Sequence, residues 1–263
     1  MKIIALTIIF ISLSFNLIGQ KKHSMYIGSG YSFSLKDGET KGLYGTQTSI
    51  DPNSGEVVLE DARPRLAEGI NYMVGYEFAL NEKWSLCTDF SYLDGLEWKR
   101  KIYLYPSFHR VTTTESQSIW WRVYLGFSIG KSRTYTDWDP FKERVSASFK
   151  IGPSLLKATV SENNQNSPGT LTTETYHDQC VYYGKVGLGL SGKVSFTYQL
   201  TRQIYLEAAF RADYTQYTAT KCERTVYERF GREVNESKTY QNSTEFDFNN
   251  ITPLLIIGYV LNP

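Results

Sequence analysis

The chain of 263 residues is 41% hydrophobic and 21% charged, and its 28 Lys and Arg nearly balance 27 Asp and Glu. This composition excludes a protein that crosses a membrane with several helices, and an aromatic share of 15% excludes a disordered chain. Because the formal net charge is only +1, electrostatics gives no reason to expect nucleic acid as a partner. The length allows one large β domain or two smaller ones.

The first segment has the pattern of a secretion signal. Lys2 precedes an apolar run over residues 3–18, and the small residue Gly19 follows it. The sequence therefore predicts a signal peptide over residues 1–19 and a single mature domain over 20–263. An uncleaved anchor is the alternative, although the run is short for a membrane span.

After residue 20 the hydrophobic pattern has a period of two rather than 3.6, which indicates β-strands. In the clearest stretch, Ile119, Trp121 and Leu125 alternate with Ser118 and Arg122. Eight stretches of this kind are predicted as strands. They cover residues 24–35, 67–80, 84–92, 118–130, 145–155, 185–198, 204–215 and 251–261.

The connections between these strands alternate in length. Those after the second, fourth and sixth strands are short or moderate, at 81–83, 131–144 and 199–202. The others are long and cover residues 36–65, 93–117, 158–184 and 217–248. Short turns that alternate with long loops around an even number of strands are typical of outer-membrane barrels, whose long loops are extracellular.

The two faces of the predicted strands differ sharply in composition. One face is uniformly large and apolar, with aromatic residues near the strand ends, as a lipid-facing surface requires. The other face is mainly Gly, Ser and Ala with scattered charges, which suits a narrow interior better than a solvent face. The sequence thus predicts an all-β, eight-stranded antiparallel transmembrane β-barrel. A soluble β-barrel or sandwich is the alternative, since both also alternate.

In this layout the chain resembles the OmpX- and OmpA-like family of small outer-membrane β-barrels. The resemblance covers essentially the whole of residues 20–263 and rests on strand pattern, because the family has no invariant catalytic motif. It implies an exported monomer in the outer membrane, with the lipid bilayer as its first partner.

Nine charged residues fall on the small-residue face and are predicted to point into the barrel. Because an eight-stranded barrel is just wide enough for side chains to fill it, they are expected to form a paired ionic network that plugs the lumen. A narrow path for water or ions is the alternative. The predicted network has five cations and four anions: Glu77, Asp89, Arg122, Lys150, Lys185, Lys193, Glu207, Arg211 and Asp213.

Two cysteines form the most specific pairing signal. Cys180 and Cys222 each lie 21 residues from Thr201, near the turn of a predicted hairpin. An unbroken antiparallel ladder would place them opposite each other, within reach of a disulfide. Free thiols are the alternative, since sequence alone cannot fix connectivity.

The long loops are rich in Thr, Tyr and Val, so the hairpins are predicted to continue beyond the bilayer as a protruding sheet. The open edge of such a sheet could bind an extracellular protein or surface partner by strand addition, although a merely solvated extension is equally consistent with the pattern. The three histidines, His23, His109 and His177, lie in separate segments. The sequence predicts no catalytic set, metal or cofactor.

The predicted function is therefore a non-enzymatic structural or surface-interaction role in the outer membrane. A narrow channel or small-solute transporter is the first alternative, and a soluble secreted barrel that binds a small ligand is the second.

Overall fold

The computed structural model describes residues 23–35, 47–50, 57–60, 65–81, 83–104, 108–129, 144–167, 176–229 and 232–261. The predicted signal peptide and almost all of the connection at 131–144 lie outside these residues. Thirteen strands are present: β1 (His23–Ser34), β2 (Gln47–Ile50), β3 (Val57–Glu60), β4 (Gly69–Ala79), β5 (Trp84–Gly95), β6 (Trp98–Leu104), β7 (Phe108–Ile129), β8 (Val145–Ser167), β9 (Tyr176–Gly184), β10 (Gly187–Gln199), β11 (Ile204–Arg229), β12 (Arg232–Asp247) and β13 (Asn250–Leu261).

Eight of these strands close into a barrel. The order around the ring is β1, β4, β5, β7, β8, β10, β11 and β13, and β13 pairs with β1 to complete it. Every pairing is antiparallel. The prediction of an all-β, eight-stranded antiparallel barrel is confirmed, and the eight predicted strands are the eight strands of the ring.

The barrel has one end with short turns and one end with long extensions. At the first end, Leu80 N donates to Trp84 O at 2.8 Å and Leu200 N donates to Ile204 O at 2.9 Å, which closes two tight hairpins. At the other end β7, β8 and β11 continue for 22, 23 and 26 residues in all. Since about 9–11 residues of a tilted strand cross a membrane, these three strands extend well beyond it. Short turns are periplasmic and long hairpins extracellular in barrels of this type.

The extensions continue the barrel wall within the same sheet, and we call this part the protruding sheet. Its order is β6, β7, β8, β9, β11 and β12. Within the described residues, β6 pairs only with β7 and β12 only with β11, so both are edge strands of this sheet. Strands β2 and β3 form a separate hairpin.

Large apolar side chains cover the outside of the barrel. Phe210 is 60% exposed and Leu188 is 74% exposed, whereas on the opposite face Arg211 and Ser195 are fully buried. A soluble barrel would have the reverse distribution, with apolar side chains inside and polar ones outside. Across the part of the chain that the structure describes, no helix is long and apolar enough to span a membrane.

The small residues of the inner face make room for large ones. A Cβ atom at Gly75 would collide with the ring of Tyr26, and one at Gly258 would collide with the ring of Tyr205. Both tyrosines are buried in the lumen. Glycine is therefore required at these two positions by close approach, and the inner face is filled although half of its residues are small.

Candidate functional site: the filled lumen and its rim

The middle of the lumen is organised by Arg122 on β7. Its Nε and Nη2 atoms donate to the two carboxylate oxygens of Asp213 at 2.8 and 3.0 Å. Its Nη1 atom donates to Asp89 at 3.1 Å and to Ser91 at 2.7 Å. The guanidinium also lies 4.7 Å from the ring centre of Trp120. This bidentate, fully buried arrangement is the geometry in which an Arg–carboxylate pair is strongest.

Asp213 on β11 connects this pair to further residues. It accepts a hydrogen bond from Arg211 Nε at 3.0 Å, and one from the hydroxyl of Ser191. Ser191 is in turn 3.1 Å from the hydroxyl of Tyr124. Among the described residues, Arg211 Nη1 and Nη2 have no hydrogen-bond partner, so Arg211 is bound less completely than Arg122.

Two further ion pairs lie closer to the periplasmic end. Lys150 Nζ donates to Glu77 at 2.8 Å, and Lys193 Nζ lies 3.2 Å from a carboxylate oxygen of Glu207. The two ammonium groups lie 5.9 and 4.9 Å from the ring centre of Tyr26, whose face attracts cations. The structure thus brings eight of the nine predicted interior charges together in pairs, and all eight are buried.

The prediction that Lys185 points into the barrel is wrong. Lys185 is exposed and does not enter the lumen. It lies with Val186 in the two-residue break between β9 and β10, where both side chains are exposed and the alternation of faces is interrupted. Without Lys185 the interior group contains four cations and four anions. Balance of this kind is expected because an unpaired buried charge is costly.

Apolar side chains fill the lumen around these ion pairs. Tyr26, Met73 and Tyr205 pack with neighbours in one cluster, in which Tyr26 lies against both lysine ammonium groups. At the extracellular rim, Trp120 and Tyr217 belong to a larger buried cluster, in which Tyr217 makes an edge-on contact with Phe248 at 6.1 Å between ring centres. The short segment before β4 completes this rim cluster with Leu66, whose carbonyl accepts a hydrogen bond from Ser116. Ion pairs and apolar side chains therefore share the interior of the barrel.

The predicted disulfide is not formed: Cys180 and Cys222 are both free. The expectation that they lie directly opposite each other is wrong. Since Gln199 pairs with Tyr205, the β10–β11 hairpin is centred on residue 202 rather than 201. Cys180 consequently lies opposite Arg224, and Cys222 lies opposite Tyr182. The two thiols are diagonal neighbours within hydrogen-bonding contact.

Burial should make these thiols slow to react. It raises the pKa of Cys180 to about 12, helped by the neighbouring Cys222, and it also raises the pKa of Cys222. Folding therefore favours the neutral thiols. Their contribution to stability is present below the ordinary thiol pKa of about 8.5 and is lost as the pH rises towards the folded-state value.

We expect iodoacetamide at about pH 8 to modify the folded chain much more slowly than the urea-unfolded chain, because only the thiolate is nucleophilic. Intact mass against time measures the two rates, and a Cys87→Ser, Cys222→Ser double variant isolates Cys180, since the chain has a third thiol at Cys87. Equal rates in the folded and unfolded chains would contradict this prediction.

The outer surface of the barrel is mainly apolar. Apolar side chains face outward at every level of the ring, while the charges are paired inside. Closed barrels with this distribution span membranes because all strand hydrogen bonds are made internally and the lipid meets only apolar groups. The chain is an eight-stranded transmembrane β-barrel.

Comparisons with known proteins give likenesses of fold at low sequence identity. No protein-family model matches the chain, and no curated protein matches it. Among solved structures, Ail, the attachment invasion locus protein of Yersinia pestis, is 11% identical with a TM-score of 0.37, over 92% of this chain and 99% of its own. Neisserial surface protein A is 12% identical with a TM-score of 0.37, over 90% and 96%. A major outer membrane protein from Thermus thermophilus is 12% identical with a TM-score of 0.44, over 91% and 98%.

The aromatic members of the lumen were not predicted from the sequence. Tyr26, Trp120 and Tyr124 are buried in the lumen, although apolar residues were assigned to the lipid face. Each of them directly follows or precedes an outward residue such as Met25 or Ile119. Because side chains alternate between the two faces of a strand, this position would have predicted that they point into the barrel. Within the described residues, no group of three or more His, Cys, Asp or Glu side chains is placed to hold a metal ion.

Proposed function

We propose that this chain is a non-enzymatic surface protein in which the filled barrel anchors and displays the protruding sheet outside the cell. The observation that carries the proposal is the combination of a closed lumen with strands that continue beyond it. Trp120, Arg122 and Tyr217 are fully buried in the lumen, which favours an anchoring role over a pore for solutes. No feature of the described residues favours the channel alternative over this role.

The edge of the protruding sheet is the surface that suits a protein partner. β12 is 16 residues long, and on the side away from β11 it pairs with no strand of the described chain. Its backbone groups on that side can hydrogen-bond to an added strand, which is a common mode of peptide recognition. Its side chains from Glu236 to Gln241 are exposed, so an added strand would meet a polar surface.

The display role predicts where a peptide tag is accessible. A short epitope inserted between residues 230 and 231, where β11 meets β12, should bind its antibody on intact cells. The same epitope inserted after Asn81, in the β4–β5 turn, should bind only after the cells are permeabilised. The opposite result would overturn the proposed orientation.

A filled lumen also predicts the absence of conduction. The full chain reconstituted into planar lipid bilayers should leave the baseline current unchanged, because buried ion pairs and apolar side chains occupy the lumen. A general porin in the same bilayers is the positive control. Reproducible unit conductance steps from the purified chain would contradict the filled lumen and favour the channel alternative.

A further inference from the structure

The outward face of the protruding sheet has a concave polar pocket with a volume of about 400 Å³. We propose that this pocket binds a neutral saccharide. Its volume lies within the range of about 300–1,000 Å³ that is usual for small-molecule sites. The pocket is lined by Glu97, Lys99, Val111, Thr113, Glu115, Ser161, Asn163, Gln165 and Gln179.

The pocket lies outside the barrel wall and not above the lumen. On β7, Glu115 and Thr113 share the parity of Ile119, which faces outward and is exposed. At a rise of about 3.3 Å per residue, Glu115 lies roughly 13 Å further along the strand than Ile119. The pocket therefore begins just beyond the last lipid-facing aliphatic side chain of this strand, on the extracellular side.

The strand register assembles the polar lining. Lys99 on β6 lies opposite Thr113 on β7, Thr113 lies opposite Asn163 on β8, and Asn163 lies opposite Gln179 on β9. Directly opposed side chains have Cβ atoms about 4.5–5.5 Å apart. An ammonium, a hydroxyl and two amides thus form one row across four strands, which offers donors and acceptors at regular spacing.

Neighbouring side chains hold the two amides in place. Asn163 Oδ1 is 2.8 Å from His177 Nε2, and Gln179 Nε2 donates to Ser161 Oγ at 3.0 Å. The hydroxyl of Tyr227 donates to Gln179 Oε1 at 2.9 Å. Each amide group has two N–H donors and two acceptor sites, so these bonds leave donors on both residues for a ligand. Because the amides are already oriented, less entropy is lost when a ligand binds.

The lining disfavours other classes of ligand. Val111 is the one aliphatic side chain among the nine, so a lipid tail would gain little. Lys99 is the one cation in the lining, its Nζ lies 2.8 Å from Glu97, and Glu115 adds a second carboxylate, so the pocket has a net negative charge that disfavours a sulfate or phosphate group. The same ion pair makes the Glu97 carboxylate less available to a ligand. Hydroxyl groups both donate and accept, so a neutral polyhydroxylated ligand matches amides and hydroxyls best.

The ligand could come from two sources that share this chemistry. One is the sugar headgroup of a glycolipid in the same outer leaflet, and the other is a free glycan from the surroundings. This inference rests on the proposed extracellular position of the protruding sheet, and it does not depend on the β12 edge.

The test measures binding to named neutral sugars. The full chain in phospholipid nanodiscs is titrated with neutral hexose and N-acetylhexosamine oligosaccharides by calorimetry, with a sulfated oligosaccharide as the comparison. We expect saturable binding of at least one neutral oligosaccharide and none of the sulfated one. Asn163→Ala and Gln179→Ala should each weaken binding at least tenfold. Gln216→Ala, which removes an exposed amide on β11 outside the pocket lining, is the matched control and should bind normally.

Each other outcome has a defined meaning. Preference for the sulfated sugar would overturn the ligand class, and unchanged binding by both pocket variants would overturn the location. No binding of any neutral sugar would overturn the proposal, provided that nanodiscs containing purified lipopolysaccharide also fail to show contact at Asn163 by crosslinking. Crosslinking at Asn163 without any binding of soluble sugars would identify the glycolipid headgroup as the ligand. Epitope labelling at residues 230–231 tests the display role separately, so either proposal can fail alone.

Discussion

Replacing Arg122 with Ala should lower the free energy of unfolding by about 3–5 kcal/mol, the usual cost of breaking a buried ion pair. The substitution removes both bonds to Asp213 and the bonds to Asp89 and Ser91. It also leaves three cations against four anions in the lumen. The remaining carboxylates are buried too deeply to recover the lost interaction from water.

Urea-induced unfolding in lipid vesicles, followed by tryptophan fluorescence, measures this change. Arg211→Ala is the matched control and should cost less, because Arg211 makes one ion pair to Asp213 and its two Nη atoms have no hydrogen-bond partner among the described residues. Asp213→Ala combined with Arg122→Ala restores equal numbers of interior charges. The double variant should therefore lose less stability than the sum of the two single variants. Additive losses, or an Arg122→Ala variant as stable as the parent, would contradict the network.

A charge on the lipid-facing side should destabilise the barrel by an amount that depends on depth. Phe210 on β11 lies midway along the outward row from Ile204 to Tyr214 and is 60% exposed on the barrel surface. Phe210→Lys is expected to cost about 2–4 kcal/mol, because an ammonium at the middle of the bilayer loses its hydration.

Ile204→Lys provides the control, since Ile204 begins the strand at the periplasmic end. Near an interface the same change should cost only about 0–1 kcal/mol, as the lysine reaches the headgroups. Both variants are measured by the vesicle unfolding assay used for Arg122. If Phe210→Lys were as stable as the parent, the outer surface would face water and the barrel would not be embedded.

The strand positions were predictable because side chains alternate between the two faces of a strand. The apolar residues in the sequence therefore recur with a period of two. The alternation within a single strand identifies its outer and inner faces without reference to neighbouring strands. On β7 the outer face carries Ile119 and Trp121, and the inner face carries Ser118 and Arg122. The pattern failed where the chain departs from a regular strand. Lys185 was misplaced because the break between β9 and β10 interrupts the alternation, and this break has no distinct signal in the sequence.

Pairing across strands could not be predicted to the residue. A shift of the β10–β11 hairpin centre by one position moves the partner of Cys180 by two, which converted an expected direct pair into a diagonal one. The row from Lys99 to Gln179 depends on three successive registers, and no single segment of sequence contains that information.

The amino-acid sequence by itself determined that this is a β protein with eight strands, each with one apolar face and one face of small and charged residues. It did so because alternation is a local property of each strand. Only the tertiary structure decided that Arg122 pairs with Asp213, that aromatic side chains share the lumen with the ion pairs, and that a polar pocket forms outside. Arg122 and Asp213 are 91 positions apart along the chain, and the pocket is lined by four different strands. Such contacts exist only after the barrel has closed and the strand register is set.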